Sequence, residues 1–198
     1  MRLFVLARHA QSILNLERRV NGDPSMDVPL TEEGELEARL LGTQVAQLPL
    51  DACVHTRFPR SRLTAEIALA GREDVPLVVA PLLDDIDVGE LEGATLAEYR
   101  AWKDGRKRDV PFPGGESLDD AARRYGAAFR DLLAAPYRCA FVVCHEIPLR
   151  YALNAAAGSE SLDGPAHEIG NALPFLFDAG ALERAVAGIE RIAGRVSA

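Results

Sequence analysis

The chain has 198 residues, 48% hydrophobic and 26% charged. These are values of an ordinary globular protein, and they exclude collagen-like and disordered readings. Thirty acidic against 22 basic residues give a formal net charge of −8, the reverse of the basic surplus that phosphate-backbone binders carry, so no nucleic-acid partner is expected. No apolar run approaches the ~18 residues of a membrane span, and no membrane partner is expected either.

The length predicts one domain over residues 1–198, since no linker-like stretch interrupts the chain. The three cysteines, Cys53, Cys139 and Cys144, are odd in number and show no Cys-x-x-Cys spacing, which suggests neither a disulfide framework nor a zinc site. The apolar run before Arg8, Leu3 to Ala7, is only five residues, too short for a signal-peptide core. A cytoplasmic location is therefore expected. Arg supplies 20 of the 22 basic residues. Its rigid fork suits phosphate or carboxylate, although a general Arg and Ala bias accounts for the bulk of them.

Leu3 to Ala7 is a continuous apolar run, as a strand buried on both faces requires. Thr31 is a suitable N-cap, with Glu32 and Glu33 at the positive end of a helix that repeats Leu36, Leu40, Leu41, Val45 and Leu48. Asp51 to His55 reads as a second strand, and Pro59 to Ala70 as a helix with proline in its first turn. Leu77 to Ala80 reads as a third strand. Residues 81–93, acidic and holding Gly89 and Gly93, read as a loop. Thr95 to Lys103 predicts a short helix, and Asp104 to Ser117 a Pro/Gly loop. Leu118 to Ala134 predicts a long amphipathic helix with Ser117 as its cap. Cys139 to Cys144 is a fourth buried strand, leading to a helix through about Ala157 with Pro148 near its start; Leu173 to Phe177 is a fifth strand. The Ala-rich tail from Ala181 fits helix or strand.

Strands alternating with helices predict an α/β fold, a single three-layer domain with a mostly parallel central sheet and helices on both faces. Ligands in such folds bind beyond the carboxyl ends of the strands, where the charged clusters fall. Arg8-His9 follows strand one, Arg57, Arg60 and Arg62 follow strand two, Asp84, Asp85 and Asp87 follow strand three, and His145-Glu146 follows strand four. Arginine forks orient a phosphoryl group, a neutral imidazole is a competent nucleophile toward phosphorus, and a carboxylic acid can protonate a leaving alkoxide. The histidines His9, His55, His145 and His167 lack metal-ligand spacing, so no metal and no cofactor are expected.

Residues 6–15, Leu-Ala-Arg-His-Ala-Gln-Ser-Ile-Leu-Asn, resemble the Arg-His-Gly-x-Ser/Thr-x-x-Asn signature of the histidine phosphatase superfamily, the phosphoglycerate-mutase-like proteins. The likeness continues in order through Gly22-Asp23, Pro29 to Gly34, Thr56 to Ala65, Gly89 to Gly93, Pro113 to Ser117, Val142 to His145 and Asn171-Ala172. It spans roughly residues 3–177. The resemblance implies a phosphoglycerate-mutase-like fold, with His9 as the nucleophile and Arg8, Arg60 and His145 holding the phosphoryl group. Ser12 and Asn15 are implied as further phosphate contacts. The family's acid position falls on Asp85, one methylene shorter than the usual Glu. A distant branch places its acid directly after the second His, which is Glu146 here, so both carboxylates stand as proton donors. Ala10 replaces the signature Gly, which requires a negative φ.

The activity so implied is phosphomonoester hydrolysis through a phosphohistidine on His9, acting on a small phosphorylated metabolite, with a homodimer left open. The alternatives are a cofactor-dependent phosphoglycerate mutase and a non-catalytic phosphate-binding protein. The short span of residues 86–144 between the acid and the second His favours the phosphatase, since the family's classical mutases carry an insertion there. Arg18, Arg19, Trp102, Lys103, Arg106, Lys107 and Arg108 are candidates for recognising a second anionic or aromatic group, or a plain solvated surface.

Overall fold

In a computed structural model, which describes residues 2–194, the first apolar run forms β1 (Leu3–Arg8). Its side chains alternate between two cores. Phe4 and Leu6 join one apolar cluster, Val5 and Ala7 the other, so a strand buried on both sides needs no polar alternation. The chain then makes one short turn of helix, α1 (Ile13–Leu16), and a longer helix, α2 (Glu32–Val45). β2 (Ala52–His55), α3 (Pro59–Ala68) and β3 (Leu77–Val79) follow. α4 (Leu96–Lys103) and α5 (Leu118–Ala134) precede β4 (Cys139–Cys144) and α6 (Glu146–Ala156). β5 (Pro174–Asp178) and α7 (Ala179–Ala193) complete the described chain.

The sheet order is β3-β2-β4-β1-β5. β1, β2, β3 and β4 run parallel, and β5 closes the edge antiparallel to β1. α2 and α3 cover one face through Ala38, Leu41, Val45, Ala65 and Ala68. α5, α6 and α7 cover the other with Tyr125, Phe129, Leu149, Tyr151, Leu182 and Ile189. This is the three-layer, mostly parallel arrangement read from the sequence. Among the described residues no helix is long and apolar enough to cross a membrane.

Two boundaries follow the predicted caps, Thr31 and Ser117, and Thr95, read as the first helical residue, is the cap of α4. Each accepts a backbone N–H three residues on, and Ser117 and Thr95 form reciprocal boxes with Asp120 and Glu98. The undecided tail is helix: Asp178 caps α7 by accepting from Ala181 N, and Leu182, Ala185, Val186 and Ile189 recur at helical spacing against the sheet's core. Residues 195–198 lie outside the described chain. β3 is less buried than a core strand, with Leu77 and Val79 exposed, because it pairs on one side only. Residues 81–93 hold two 3₁₀ turns, Pro81–Leu83 and Gly89–Leu91.

The topology fixes where a ligand sits. The chain leaves β1 and skips a position to β2. It goes out to β3, then returns to insert β4 between β2 and β1. That reversal opens the crevice at the carboxyl ends of β1, β4 and β2.

Candidate active site

Arg8 and His9 close β1, Thr56 follows β2, and His145 follows β4 as the residue that caps α6. His145 makes no capping bond; its buried ring turns instead to Thr56 and Arg60. Arg60 enters from the first turn of α3. These groups converge. The rings of His9 and His145 lie 5.3 Å apart, edge to face. Arg60, 3% exposed, lies between them: its Nε donates to His9 Nε2 at 2.9 Å and its Nη2 to His145 Nδ1 at 3.1 Å.

A guanidinium only donates, so these bonds set both tautomers. His9 carries its proton on Nδ1, which donates to Ala10 O at 2.7 Å, and its Nε2 lone pair accepts from Arg60 Nε. His145 carries its proton on Nε2 and donates to Thr56 Oγ1 at 2.9 Å; that hydroxyl in turn donates to Ser61 Oγ at 2.9 Å. Burial, then the charges of Arg60 and Arg8, push the His9 pKa well down. Burial, Arg60 and His9 do the same to His145. Both rings are therefore neutral at neutral pH, the state in which an imidazole can be a nucleophile.

Asp85 reaches the same point. Its Oδ2 lies 2.9 Å from Arg60 Nη2 and 3.5 Å from His145 Nδ1, and its Oδ1 accepts from its neighbour Ile86 N. Burial raises its pKa above the carboxylate norm against the pull of Arg60, which is the environment of a proton donor. Glu146 is placed differently. It pairs with Arg8 at 3.0 Å and with Arg150 at 3.5 Å, so it braces guanidinium groups. Arg8 also donates to Ile169 O, while its buried Nε has no acceptor among the described residues. Such a donor is available to an entering anion.

Ser12 and Asn15 line the same crevice but are engaged with each other. Ser12 caps α1, and its hydroxyl and amide both donate to Asn15 Oδ1 at 3.1 Å. Asn15 Nδ2 is thus the group of this pair left to face a ligand. Ala10 is not among the described residues with positive φ; buried, it donates its amide to Thr64 Oγ1 at 2.9 Å. Arg57 turns away to pair with Asp84, and Arg62 pairs with Glu66 on the surface of α3. Of the basic loop residues, Arg108 is tied to Asp119, Asp163 and Tyr151. Trp102 stacks on Phe112. Arg19 and Lys103 line the crevice.

The groups that hold this machinery were only partly visible in the sequence. Asn21 takes both Nη groups of Arg60, through Oδ1 and its own carbonyl. Glu92 fixes Asn21 by accepting from its Nδ2 and from the amides of Gly22 and Asp23. Arg124 donates to the carbonyls of Asp84 and Asp85 and to Glu116, so it fixes the loop that carries Asp85. Asn171 donates to His9 O, and Ala172 N to Arg8 O. The Gly-x-x-Glu-Gly and Asn-Ala elements marked Glu92 and Asn171; nothing in composition or period marked Asn21 or Arg124.

A sequence model of the histidine phosphatase superfamily, branch 1, matches residues 4–174. The chain belongs to this superfamily. Among curated members, a 2,3-bisphosphoglycerate-dependent phosphoglycerate mutase from Methylobacterium sp. (strain 4-46) is 32% identical over 192 residues, covering 89% of this chain and 90% of that one. The phosphoglycerate mutase 2 of Gloeobacter violaceus is 38% identical over 135 residues; the match spans 60% of that relative. Of solved superfamily folds, Bacillus stearothermophilus YhfR has a TM-score of 0.77 and 26% identity, covering 90% of this chain and 91% of that one. The mycobacterial glucosyl-3-phosphoglycerate phosphatase has a TM-score of 0.71 and 25% identity, covering 88% and 89%. Members of this superfamily are thus named both as mutases and as phosphatases. Because the Methylobacterium relative aligns nearly end to end, the short span between Asp85 and His145 does not by itself exclude a mutase.

Proposed function

We propose that the protein hydrolyses phosphomonoesters of small metabolites through a phosphohistidine on His9. The observation that carries this reading is the convergence of two neutral imidazoles and Arg60 on one buried point, where Arg60 Nε holds the lone pair of His9 Nε2 until a phosphoryl oxygen takes over that donor. The entering phosphoryl oxygens take over the donors of Arg60 and the unsatisfied Nε of Arg8. The lone pair of His9 Nε2 attacks phosphorus, the P–O ester bond breaks, and the leaving alkoxide takes the proton of Asp85. In the second half, Asp85 accepts a proton from water, the water oxygen bonds to phosphorus, and the P–N bond breaks to free His9 and inorganic phosphate. His145, beside the transferring group, stabilises charge on its equatorial oxygens.

The relatives' names support a second reading, phosphoryl transfer between positions of a phosphoglycerate primed by a bisphosphoglycerate. It uses the same His9 chemistry and differs only in what accepts the phosphoryl group.

The test is hydrolysis of p-nitrophenyl phosphate in EDTA, wild type against His9→Ala, with a bisphosphoglycerate-primed isomerisation assay in parallel. Turnover in EDTA that vanishes in the variant is the expected result. Isomerisation exceeding phosphate release would favour the mutase. Phosphate binding with neither activity would leave a binding protein, and full activity of His9→Ala would overturn the mechanism.

A further inference from the structure

Asp85 has little slack. A single methylene separates its carboxyl from the backbone, so the carboxyl goes where the chain puts it. The sheet gives that stretch of chain little support. β3 is an edge strand of three residues that ends at Val79. Asp85 then lines two hollows at once, the crevice that holds His9 and Arg60 and a second one of about 590 Å³.

The loop is held from α5 instead. Nη1 of Arg124 donates to Leu82 O at 3.0 Å and to Asp84 O at 2.8 Å. Nη2 donates to Asp85 O at 3.2 Å and to Glu116 Oε1, and Nε donates to Glu116 Oε2 at 3.3 Å. These bonds use every N–H of the guanidinium, and three of them grip the backbone that leads to Asp85. Glu116 completes the hold. Its Oε1 accepts from Asp87 N at 3.0 Å, and its own amide donates to Asp87 O at 3.0 Å. Gly115 permits this approach, since a Cβ there would collide with Asp87 O and Gly89 N. On the other flank the Asp84 carboxylate accepts from Arg57 N and pairs with Arg57 Nε. The carboxylate of Asp85 is left to face Arg60 and His145. Arg124 lines the second hollow, and it is not among the described residues on the crevice wall.

We propose that Arg124, locked by Glu116, is the positioning residue of Asp85: it sets the distance from the Asp85 carboxyl to the leaving oxygen without touching the substrate. The inference rests on the reading above in taking Asp85 as the acid. A displacement of about 1 Å can cost a catalytic group on the order of 10²-fold. The loss falls only where the acid is needed. An alkoxide must be protonated as it leaves, whereas p-nitrophenolate departs without that help.

The test is a double-mutant cycle on the whole protein. It is read as the ratio of kcat/KM for an alkyl phosphate to kcat/KM for p-nitrophenyl phosphate, which reports the transfer to His9. Inhibition by inorganic phosphate and the melting temperature are measured on each preparation. Arg124→Lys keeps the charge but cannot span three carbonyls and both oxygens of Glu116. It should lower the ratio about tenfold or more and leave phosphate inhibition within about threefold of the wild type. In an Asp85→Asn background the same substitution should leave the ratio unchanged, because the acid that it positions is gone. Glu116→Gln should act in the same direction and less strongly, and it carries the same cycle if Arg124→Lys does not fold. A ratio unchanged in the folded variants, or a loss equally large in the Asp85→Asn background, overturns the positioning role and leaves hydrolysis standing. Turnover of neither ester by the wild type overturns the hydrolysis reading and the positioning role with it.

Discussion

At the scale of single residues, the two carboxylates near the histidines separate by their partners. Asp85 is held where burial raises its pKa and where one oxygen is 3.5 Å from His145 Nδ1; Glu146 braces Arg8 and Arg150. Asp85→Asn should therefore slow hydrolysis of alkyl phosphates about 10²–10⁴-fold, the usual worth of a positioned acid, and p-nitrophenyl phosphate far less. Glu146→Gln should act mainly on KM, by loosening Arg8, and equally for both leaving groups. The reverse pattern would make Glu146 the acid. On the proposed mechanism, the titrations of His9 and Asp85 shape the pH profile of kcat/KM. His9 must be neutral and its pKa lies well below 6.5, so the acid limb falls below that value. Asp85 must be protonated, so activity declines as pH rises through a pKa raised above 3.8. An acid-side optimum is expected, and Asp85→Asn should lose the alkaline limb; an unchanged limb in the variant would assign it to another group. His9, Arg8, Arg60, Asp85 and Glu146, which the structure gathers around one crevice, could be picked out in the sequence, because each follows directly from a strand end or a family motif. Asn21 and Arg124 were not, since they act through Arg60 and the Asp84–Asp85 backbone at sequence distances of about 39–40 residues.

At the scale of elements, glycine explains why the stretch from Pro29 to Gly34 belongs with the signature. Thr31 caps α2 and donates to Gln11 Oε1, while Thr31 N donates to Gln11 O. Gly34, one turn into the helix, then lies against the same backbone: a Cβ there would stand 2.1 Å from Gln11 O. α2 thus buttresses the loop that carries Arg8 and His9, and only a residue without a side chain permits the contact. Gly34→Ala should lower the melting temperature by several degrees and weaken inorganic phosphate binding together, because the loop must move for the helix to form. Lower stability with phosphate affinity retained would show that α2 does not set the loop. Behind β1 the strap at Asn171–Ala172 does a similar job. Ala172 holds φ at 50°, a conformation that costs a non-glycine residue energy and is kept by its bond to Arg8 O. Helix positions were readable because caps and apolar periods are local signals. The short turn α1, the edge exposure of β3 and the helical tail depended on which neighbours the sheet order supplied, and that order is set by long-range pairing.

At the scale of the whole molecule, His9 and His145 tie the stability of the fold to pH. Both lie at the carboxyl ends of strands, His9 after β1 and His145 after β4, and both have pKa values depressed by burial and nearby guanidinium groups. Below about 6.5 the unfolded chain binds protons at these positions that the folded chain refuses. Stability rises with pH wherever the unfolded state holds more protons, so the contribution of each histidine is complete above 6.5 and is lost as pH falls toward its folded pKa. Asp85 has the opposite sign. Between 3.8 and its raised pKa the folded state holds the extra proton, and Asp85 favours folding as pH falls there. Two histidines against one carboxylate leave a net loss on acidification, beginning nearer neutrality than acid unfolding driven by carboxylates alone. The urea midpoint should therefore be lower at pH 5.5 than at pH 7.5, and the difference should shrink in His9→Asn, whose side chain can still donate to Ala10 O but cannot take up a proton. Equal midpoints in the wild type would mean that the rings are charged in the native state, and a charged His9 could not attack phosphorus.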